Sequence, residues 1–207
     1  MFIPAFFHPL RLVLVLALLV VQGASPVSIG SRIEQLELLP LRYGANTITV
    51  NRQEVLIVRG AYISEVAWGG DEYWVLLNEG TKWQLTRHER DAWDSTITAD
   101  VPHTGEDSVI SIRWMVPKGQ ARSKNISDLF LLKAERHYET SAAGSVPVVF
   151  TLYALARAND DFGIRYFRPV HTENSKARYC SADLAIHREL GMPLPPFSQD
   201  ERTYLCP

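Results

Sequence analysis

The clearest alternation of apolar and polar residues runs from Val109 to Val116. The residues of one face are all apolar: Ile110, Ile112, Trp114 and Val116. Ser111 and Arg113 occupy the other face, because side chains two positions apart point the same way along a strand. This pattern predicts a strand with one buried face, which Pro117 ends.

A second stretch, from Val146 to Val170, is apolar on both faces over its first half. Residues 146–155 are rich in β-branched and aromatic side chains, which suits a strand that is covered on both sides. A polar break, Asn159 to Gly163, has the residue types that allow a chain to reverse. The stretch therefore predicts a long hairpin at the centre of a sheet.

Three further strands are predicted between Ala61 and Leu85. Gly69-Gly70-Asp71 separates two β-rich runs and predicts a hairpin turn. Asn78 to Gly80 predicts a second turn. Thr81, Trp83 and Leu85 then alternate with polar residues, so we expect Trp83, like Trp114, to lie on a core-facing side.

One helix is predicted near the C-terminus, over residues 181–191. Ser181 suits the N-cap, Asp183 suits the positive end of the helix dipole, and Gly191 suits the left-handed position that follows a helix. The chain has two cysteines, Cys180 and Cys206, which flank this region. In an exported protein such a pair predicts a disulfide bond.

These elements together predict a mostly β protein. Short strands at close spacing, with turn signals between them, favour an antiparallel β-sandwich-like single domain. The short C-terminal helix would be pinned to it by the Cys180–Cys206 disulfide.

The N-terminus predicts export. Arg11 precedes an apolar run of residues 12–21, which is short for a membrane span and typical of a signal peptide. We expect residues 1–23 to be removed, leaving residues 24–207 as one exported β-rich domain in the periplasm or outside the cell. An uncleaved N-terminal anchor is the alternative; after cleavage we expect no stable membrane insertion.

Charge and motifs limit the function classes. The formal net charge of −2 gives no attraction toward nucleic acid. The sequence contains no phosphate-binding glycine-rich loop, no G-x-S-x-G nucleophile motif and no C-x-x-C pair. We therefore predict no catalytic residue and no cofactor.

The weak metal-ligand candidates are His/Glu pairs at a spacing of two residues. Two of them are His137 with Glu139, and His171 with Glu173; on strands each pair would share a face. Brought together, they would form a zinc site. The simpler interpretation is that they are separate, solvated residues at strand ends.

The candidate partner-binding residues are aromatic and charged side chains in two predicted loops: Trp68, Asp71, Tyr73, Trp74, Arg90 and Trp93. Protein interfaces concentrate binding energy in Trp, Tyr and Arg. The alternative is that the tryptophans fill the core.

These features predict an exported, non-catalytic binding protein, of the inhibitor or immunity type, that occludes another exported protein such as a toxin or an enzyme. The first alternative is a metal-dependent or other hydrolase of the cell envelope. The second is a carbohydrate- or envelope-binding module that uses the tryptophans.

Overall fold

The computed structural model describes residues 28–63, 69–87, 96–101, 108–137, 144–156 and 166–195. Two helices and eleven strands follow in this order: α1 (Ile29–Ile33), β1 (Leu36–Leu38), β2 (Gly44–Val50), β3 (Gln53–Ile63), β4 (Gly69–Asn78), β5 (Trp83–Leu85), β6 (Thr96–Val101), β7 (Ile110–Pro117), β8 (Asn125–Ile126), β9 (Phe130–Arg136), β10 (Val146–Leu155), β11 (Phe167–Tyr179) and α2 (Ala182–Leu190). None of the described helices is long and apolar enough to cross a membrane.

The strands form two sheets, and the prediction of a mostly β, antiparallel protein is confirmed. One sheet has five strands in the order β1-β7-β9-β10-β11. The other sheet has six strands. Five of them lie in the order β5-β4-β3-β2-β8, and the sixth, β6, pairs with β4. All described strand pairs are antiparallel except β2 with β8.

The main core lies between the two sheets. The predicted apolar face of β7 is confirmed, because Ile112, Trp114 and Val116 are buried against the six-stranded sheet. The Trp114 ring lies 5.6 Å from the Tyr73 ring and 5.7 Å from the Phe167 ring, measured between centroids. Tilted and edge-on contacts of this kind are favourable aromatic geometries.

A second core lies on the other face of the five-stranded sheet. There α1 and α2 pack against residues of β10 such as Phe150 and Leu152. The predicted helix caps are confirmed: the Ser181 hydroxyl accepts a hydrogen bond from the Leu184 amide, and Gly191 has a left-handed φ of 67°. The apolar residues on both faces of β10 therefore belong to a strand in a middle layer.

The hairpin of β10 and β11 is confirmed as a strand pair, but its predicted central position is wrong. Among the described strands β11 pairs only with β10 and lies at the edge of the sheet. Its alternation is also more polar and more exposed than that of β10. An edge strand needs fewer apolar residues because one side of it has no neighbouring strand.

The predicted Gly69-Gly70-Asp71 turn is wrong, although the hairpin itself exists. Gly69 and Gly70 belong to β4, where they pair with Ile63 and Tyr62 of β3. The connection between these strands lies outside the described residues. Glycine is tolerated within strands, so the two glycines do not by themselves specify a turn.

The prediction that Trp83 faces the core is also wrong, since 43% of its surface is exposed. The register of β5 explains this. Gln84 pairs with Leu77, whose side chain is buried in the main core, so Trp83 and Leu85 face the opposite, outer side of the sheet.

Only one of the two cysteines in the predicted disulfide, Cys180, lies in the part of the chain that the structure describes. Cys180 is buried directly before the cap of α2. Cys206 lies outside the described residues, so the Cys180–Cys206 bond stays a prediction.

Candidate functional site

A cleft of about 490 Å³ opens where β1 ends beside β7. β1 pairs with Met115 to Pro117, and the Leu39 N–H donates to the Trp114 carbonyl at 2.8 Å where β1 ends. The cavity beside this end of β1 is in the size range of specific ligand pockets.

The floor of the cleft is a charged cluster at the end of the main core. Arg59 continues the core face of β3, and Asp71 begins that of β4. Arg59 donates to Asp71 Oδ2 through Nε at 3.0 Å and through Nη2, and the Tyr73 hydroxyl donates to the same oxygen at 3.2 Å. A buried carboxylate is tolerated there because it is paired and hydrogen-bonded.

Arg59, which pairs with Asp71, makes two further contacts. Arg59 Nη1 donates to the Leu41 carbonyl at 3.0 Å, and the guanidinium lies 4.2 Å from the centre of the exposed Tyr43 ring. Burial raises the pKa of Tyr73, and the neighbouring Asp71 charge raises it further. Tyr73 therefore remains a hydroxyl donor at neutral pH.

A second ion pair forms the wall toward α2. Arg113 Nη2 donates to Asp183 Oδ1 at 2.8 Å, and the Ser111 hydroxyl donates to the same oxygen at 2.5 Å. Arg113 Nη1 also donates to the Ile112 carbonyl of β7 at 2.9 Å. The Asp183 side chain is only 2% exposed, so this pair joins α2 to the sheet in a largely dry environment.

Two buried polar atoms beside the cleft have no hydrogen-bond partner. They are the indole Nε1 of Trp114, which is a donor, and Oδ1 of Asp71, which is an acceptor. Both residues line the cleft and are at most 5% exposed. Buried polar groups are nearly always paired, so these two atoms are the polar groups of the cleft lining that can still take a hydrogen-bond partner.

The chemistry of the cleft favours binding. Its two arginines are balanced by its two aspartates, and its remaining polar lining is Tyr73, Ser111 and the unpartnered indole. Among the described residues that line it, none is His, Cys, Lys or Glu. The apolar part of the lining is Leu38 to Leu41, Ala99, Ile112 and Pro193 to Pro195.

The structure brings together two of the six predicted partner-binding residues. Asp71 and Tyr73 line the cleft from strand β4, as buried residues of that strand. Trp74 lies on the outer face of the six-stranded sheet, where its indole packs against Gly60. A Cβ added to Gly60 would lie 3.1 Å from this indole. Trp68, Arg90 and Trp93 lie outside the described residues.

The weak metal candidates are not brought together where the structure describes them. His171 Nε2 lies 3.3 Å from Glu173 Oε2 on β11, whereas His137 follows β9 on the far side of β10. Glu139 lies outside the described residues. Within the described ranges no three His, Cys, Asp or Glu side chains form a metal-binding group.

Glu173 has a structural contact of its own. Its Oε2 accepts the Ile29 amide at 2.8 Å, at the start of α1. This hydrogen bond lowers the pKa of Glu173, and the hydrogen bond with His171 contributes in the same direction.

Sequence reasoning missed Arg59, Ser111, Arg113 and Asp183 as site residues. A signal for Arg59 was present, because it follows Val55 and Ile57 at the same alternation and so places a charge on a core face. The pairing of Arg113 with Asp183 had no local signal, since it depends on α2 lying across the five-stranded sheet.

No protein-family model and no curated protein sequence matches this chain. The crystal structure of CarG is similar in fold, with a TM-score of 0.59, 16% sequence identity, and coverage of 82% of this chain and 99% of CarG. At this identity the similarity concerns the fold alone.

Proposed function

We propose that the protein is an exported, non-catalytic binding protein that occludes another exported protein, as inhibitors and immunity proteins do. The cleft beside β7 is its contact site. The observation that carries this proposal is the pair of unpartnered buried atoms, Trp114 Nε1 and Asp71 Oδ1, in the walls of that cleft.

The energetics support a ligand at this place. A buried polar group without a partner costs about 1–3 kcal/mol, so a ligand that pairs both atoms recovers this cost on binding. The ion pairs hold the walls in place before binding, which lowers the entropy lost when the complex forms. The same pairing leaves the arginines and aspartates engaged with each other, which favours recognition over chemistry.

Export to an oxidising compartment is part of the same proposal. Residues 1–23 have the pattern of a signal peptide, and an oxidising compartment would allow the Cys180–Cys206 bond. This bond would hold the chain after α2 close to the helix. Pro193 to Pro195, which line the cleft, lie in that part of the chain.

The test fills the cleft without altering its charges. Ala99 lines the cleft from β6 and is buried, whereas its neighbour Thr98 is exposed on the opposite face. We expect the mature wild-type protein to capture a specific protein from envelope extract. Ala99→Leu should lose most of that capture, because the added side chain occupies the cavity.

Thr98→Leu is the matched control, because it adds a bulkier apolar side chain to the same strand outside the cleft. It should capture the partner as the wild type does. Equal capture by Ala99→Leu, in a protein with unchanged circular dichroism, would show that the cleft is not the contact site.

A second candidate function, glycan or envelope binding, is favoured by one observation. Trp83 lies on the outer face of the six-stranded sheet, the same face as Trp74 on the neighbouring strand β4. Aromatic rings on one sheet face suit stacking against sugars. Binding of a purified envelope polysaccharide that Trp83→Ala abolishes and Ala99→Leu leaves intact would support this function instead.

A further inference from the structure

We propose that a second cavity, next to the cleft, binds an acidic side chain of the partner protein. This cavity has a volume of about 470 Å³, and we name it the arginine cavity because Arg42 and Arg122 line it. It shares Leu39, Pro40 and Leu41 with the cleft. The inference rests on the proposed function and adds one chemical feature of the partner, a carboxylate close to the group that enters the cleft.

The first argument is the charge of the arginine cavity. Arg42 and Arg122 are exposed, and neither forms an ion pair with a described residue. Among the described residues that line this cavity, none is Asp or Glu. In the cleft, by contrast, Arg59 and Arg113 each pair with an aspartate. The arginine cavity therefore offers two positive charges to a ligand, although the whole chain has a formal net charge of −2.

The surroundings of these two arginines strengthen the attraction for a negative group. Ile48 and Ala121 line the cavity and pack against the main core, so part of the lining is apolar. Lys118 and Lys124 are exposed in the same loop as Arg122, between β7 and β8. Charges of one sign beside walls of low dielectric constant focus the electrostatic potential and attract ions of the opposite sign.

The second argument is that the backbone near both arginines is held in place before binding. The Asn46 side chain accepts the Arg42 amide at 3.0 Å and donates to the Arg42 carbonyl at 2.8 Å. Glu37 Oε1 accepts the amide of Ala121, the residue before Arg122, at 2.6 Å. Less conformational entropy is lost on binding when the backbone is already fixed.

The third argument identifies the acid as a carboxylate of the partner protein. A guanidinium presents its donors in a planar fork that matches the two oxygens of a carboxylate. Because the two cavities share the segment from Leu39 to Leu41, one protein surface can reach both. Complementary charges at such an interface favour the correct partner and speed its association.

The test uses a phage-displayed heptapeptide library against the immobilised mature protein. We expect the selected peptides to contain Asp or Glu close to an uncharged residue that enters the cleft. The best peptide is then synthesised with its acid and with the matching amide. Replacing the acid should weaken binding about tenfold or more, because hydrogen bonds to a charged group are lost. Binding of the acidic peptide should also weaken as the ionic strength rises.

Variants then locate the acid. Arg42→Gln and Arg122→Gln should each weaken binding of the acidic peptide about tenfold, whereas the amide peptide should bind them as it binds the wild type. Both arginines are exposed, so the substitutions should leave folding intact, which circular dichroism checks. Arg168→Gln is the matched control, because Arg168 is exposed on β11 and lines neither cavity.

Four results would each overturn the inference. They are failure to select a peptide, selection of peptides without an acid, equal affinity of the acid and amide versions, and unchanged affinity of both arginine variants for the acidic peptide. An equal loss in Arg168→Gln would show that the effect comes from overall charge, which would also overturn it.

These failures are distinct from failure of the proposed function. Ala99→Leu fills the cleft, whereas Arg42→Gln and Arg122→Gln alter only the arginine cavity. If Ala99→Leu loses capture of the partner protein and both arginine variants retain it, the cleft is the contact site and the arginine cavity has no part in it. If none of the three variants loses capture, both proposals are wrong.

Discussion

The Asp71 carboxylate is satisfied on one oxygen only. Arg59 and Tyr73 both donate to Oδ2, while Oδ1 is buried without a partner. A carboxylate that served only to balance Arg59 could share its two oxygens between the two donor nitrogens, since paired arginine–carboxylate contacts are commonly bidentate. The one-sided arrangement leaves Oδ1 as a buried acceptor without a partner, in a residue that lines the cleft.

At this scale two of the predicted partner-binding residues, Asp71 and Tyr73, line the cleft, although the pattern that suggested them is misread. Asp71 and Tyr73 are predicted to bind a partner because they belong to the segment from Trp68 to Trp74, which the sequence predicts as a surface turn. The structure places both in a strand, with their side chains buried in the cleft walls. Their role in binding stays a prediction, while the turn that suggested it is wrong.

Glu173 gives a prediction at the residue scale. Its pKa is lowered, chiefly by the hydrogen bond from the Ile29 amide, so the contact stabilises the docked start of α1 at neutral pH. A lowered carboxyl pKa means that this stabilisation is lost as the pH falls through the folded-state value, below about 4.3, the usual value for glutamate. The Ile29 amide chemical shift, followed by NMR, should therefore change at a pH below that value.

The control for this titration is Glu173→Gln, which keeps an oxygen acceptor and removes the charge. We expect it to retain the Ile29 contact at neutral pH and to lose the inflection in the acid range. An inflection at or above the usual glutamate pKa in the wild type would contradict the assignment.

At the scale of elements, α2 shows what a local pattern can and cannot predict. Ser181, Asp183 and Gly191 predicted the helix and its ends because caps depend on a few neighbouring residues. Asp183 was interpreted as a residue that complements the helix dipole. Its pairing with Arg113 was not predictable, because nothing in residues 181–191 specifies which sheet face the helix covers.

Strand β5 shows the same limit for strands. Alternation identified Thr81, Trp83 and Leu85 as one face, but a period of two does not say which face is buried. The pairing of Gln84 with Leu77 decides it, and this register is fixed by the turn at Asn78 to Gly80.

The Arg113–Asp183 pair gives a prediction at the element scale. Removing one partner leaves a buried charge uncompensated, so Asp183→Ala should lower the free energy of unfolding by about 3–5 kcal/mol. Replacing both, with Arg113→Met and Asp183→Leu, should cost much less, because no charge then remains buried. Denaturant unfolding of the single and double variants measures both.

A matched exposed pair provides the control. Lys82 and Glu79 form an ion pair in which the lysine side chain is 72% exposed. Glu79→Ala should change stability by less than about 1 kcal/mol, as is usual for surface pairs. Similar losses for Asp183→Ala and Glu79→Ala would mean that the pair joining α2 to the sheet is effectively solvated.

At the scale of the whole molecule, the sequence predicted the two facing sheets and missed the third layer. Strand β10 carried the signal, because its apolar residues on both faces require a cover on each side. We interpreted this as a central position in the sheet. The structure shows a middle layer, with the six-stranded sheet on one side and the helices on the other.

This layering changes what a disulfide at Cys180 would do. A helix appended to the surface could loosen alone, but α2 supplies Leu184, Ala185 and Ile186 to the second core. Loosening α2 therefore exposes the face of β10 that includes Phe150 and Leu152. Any link that holds the chain on both sides of the helix would stabilise the whole five-stranded layer.

The last prediction concerns this link and the export that would allow it. We expect the exported protein to begin at Ala24 and to have an intact mass about 2 Da below that of the reduced chain, because disulfide formation removes two hydrogens. Closing the loop between residues 180 and 206 should contribute about 3.5 kcal/mol in the chain-entropy model. Cys206→Ser should therefore lower the unfolding free energy by about that amount, and hydrogen exchange should increase in α2 and in β10 together. A reducing agent should destabilise the wild type to a similar extent and leave Cys206→Ser unchanged. A mass that retains residues 1–23, or one that shows two free thiols, would contradict the exported, disulfide-linked form.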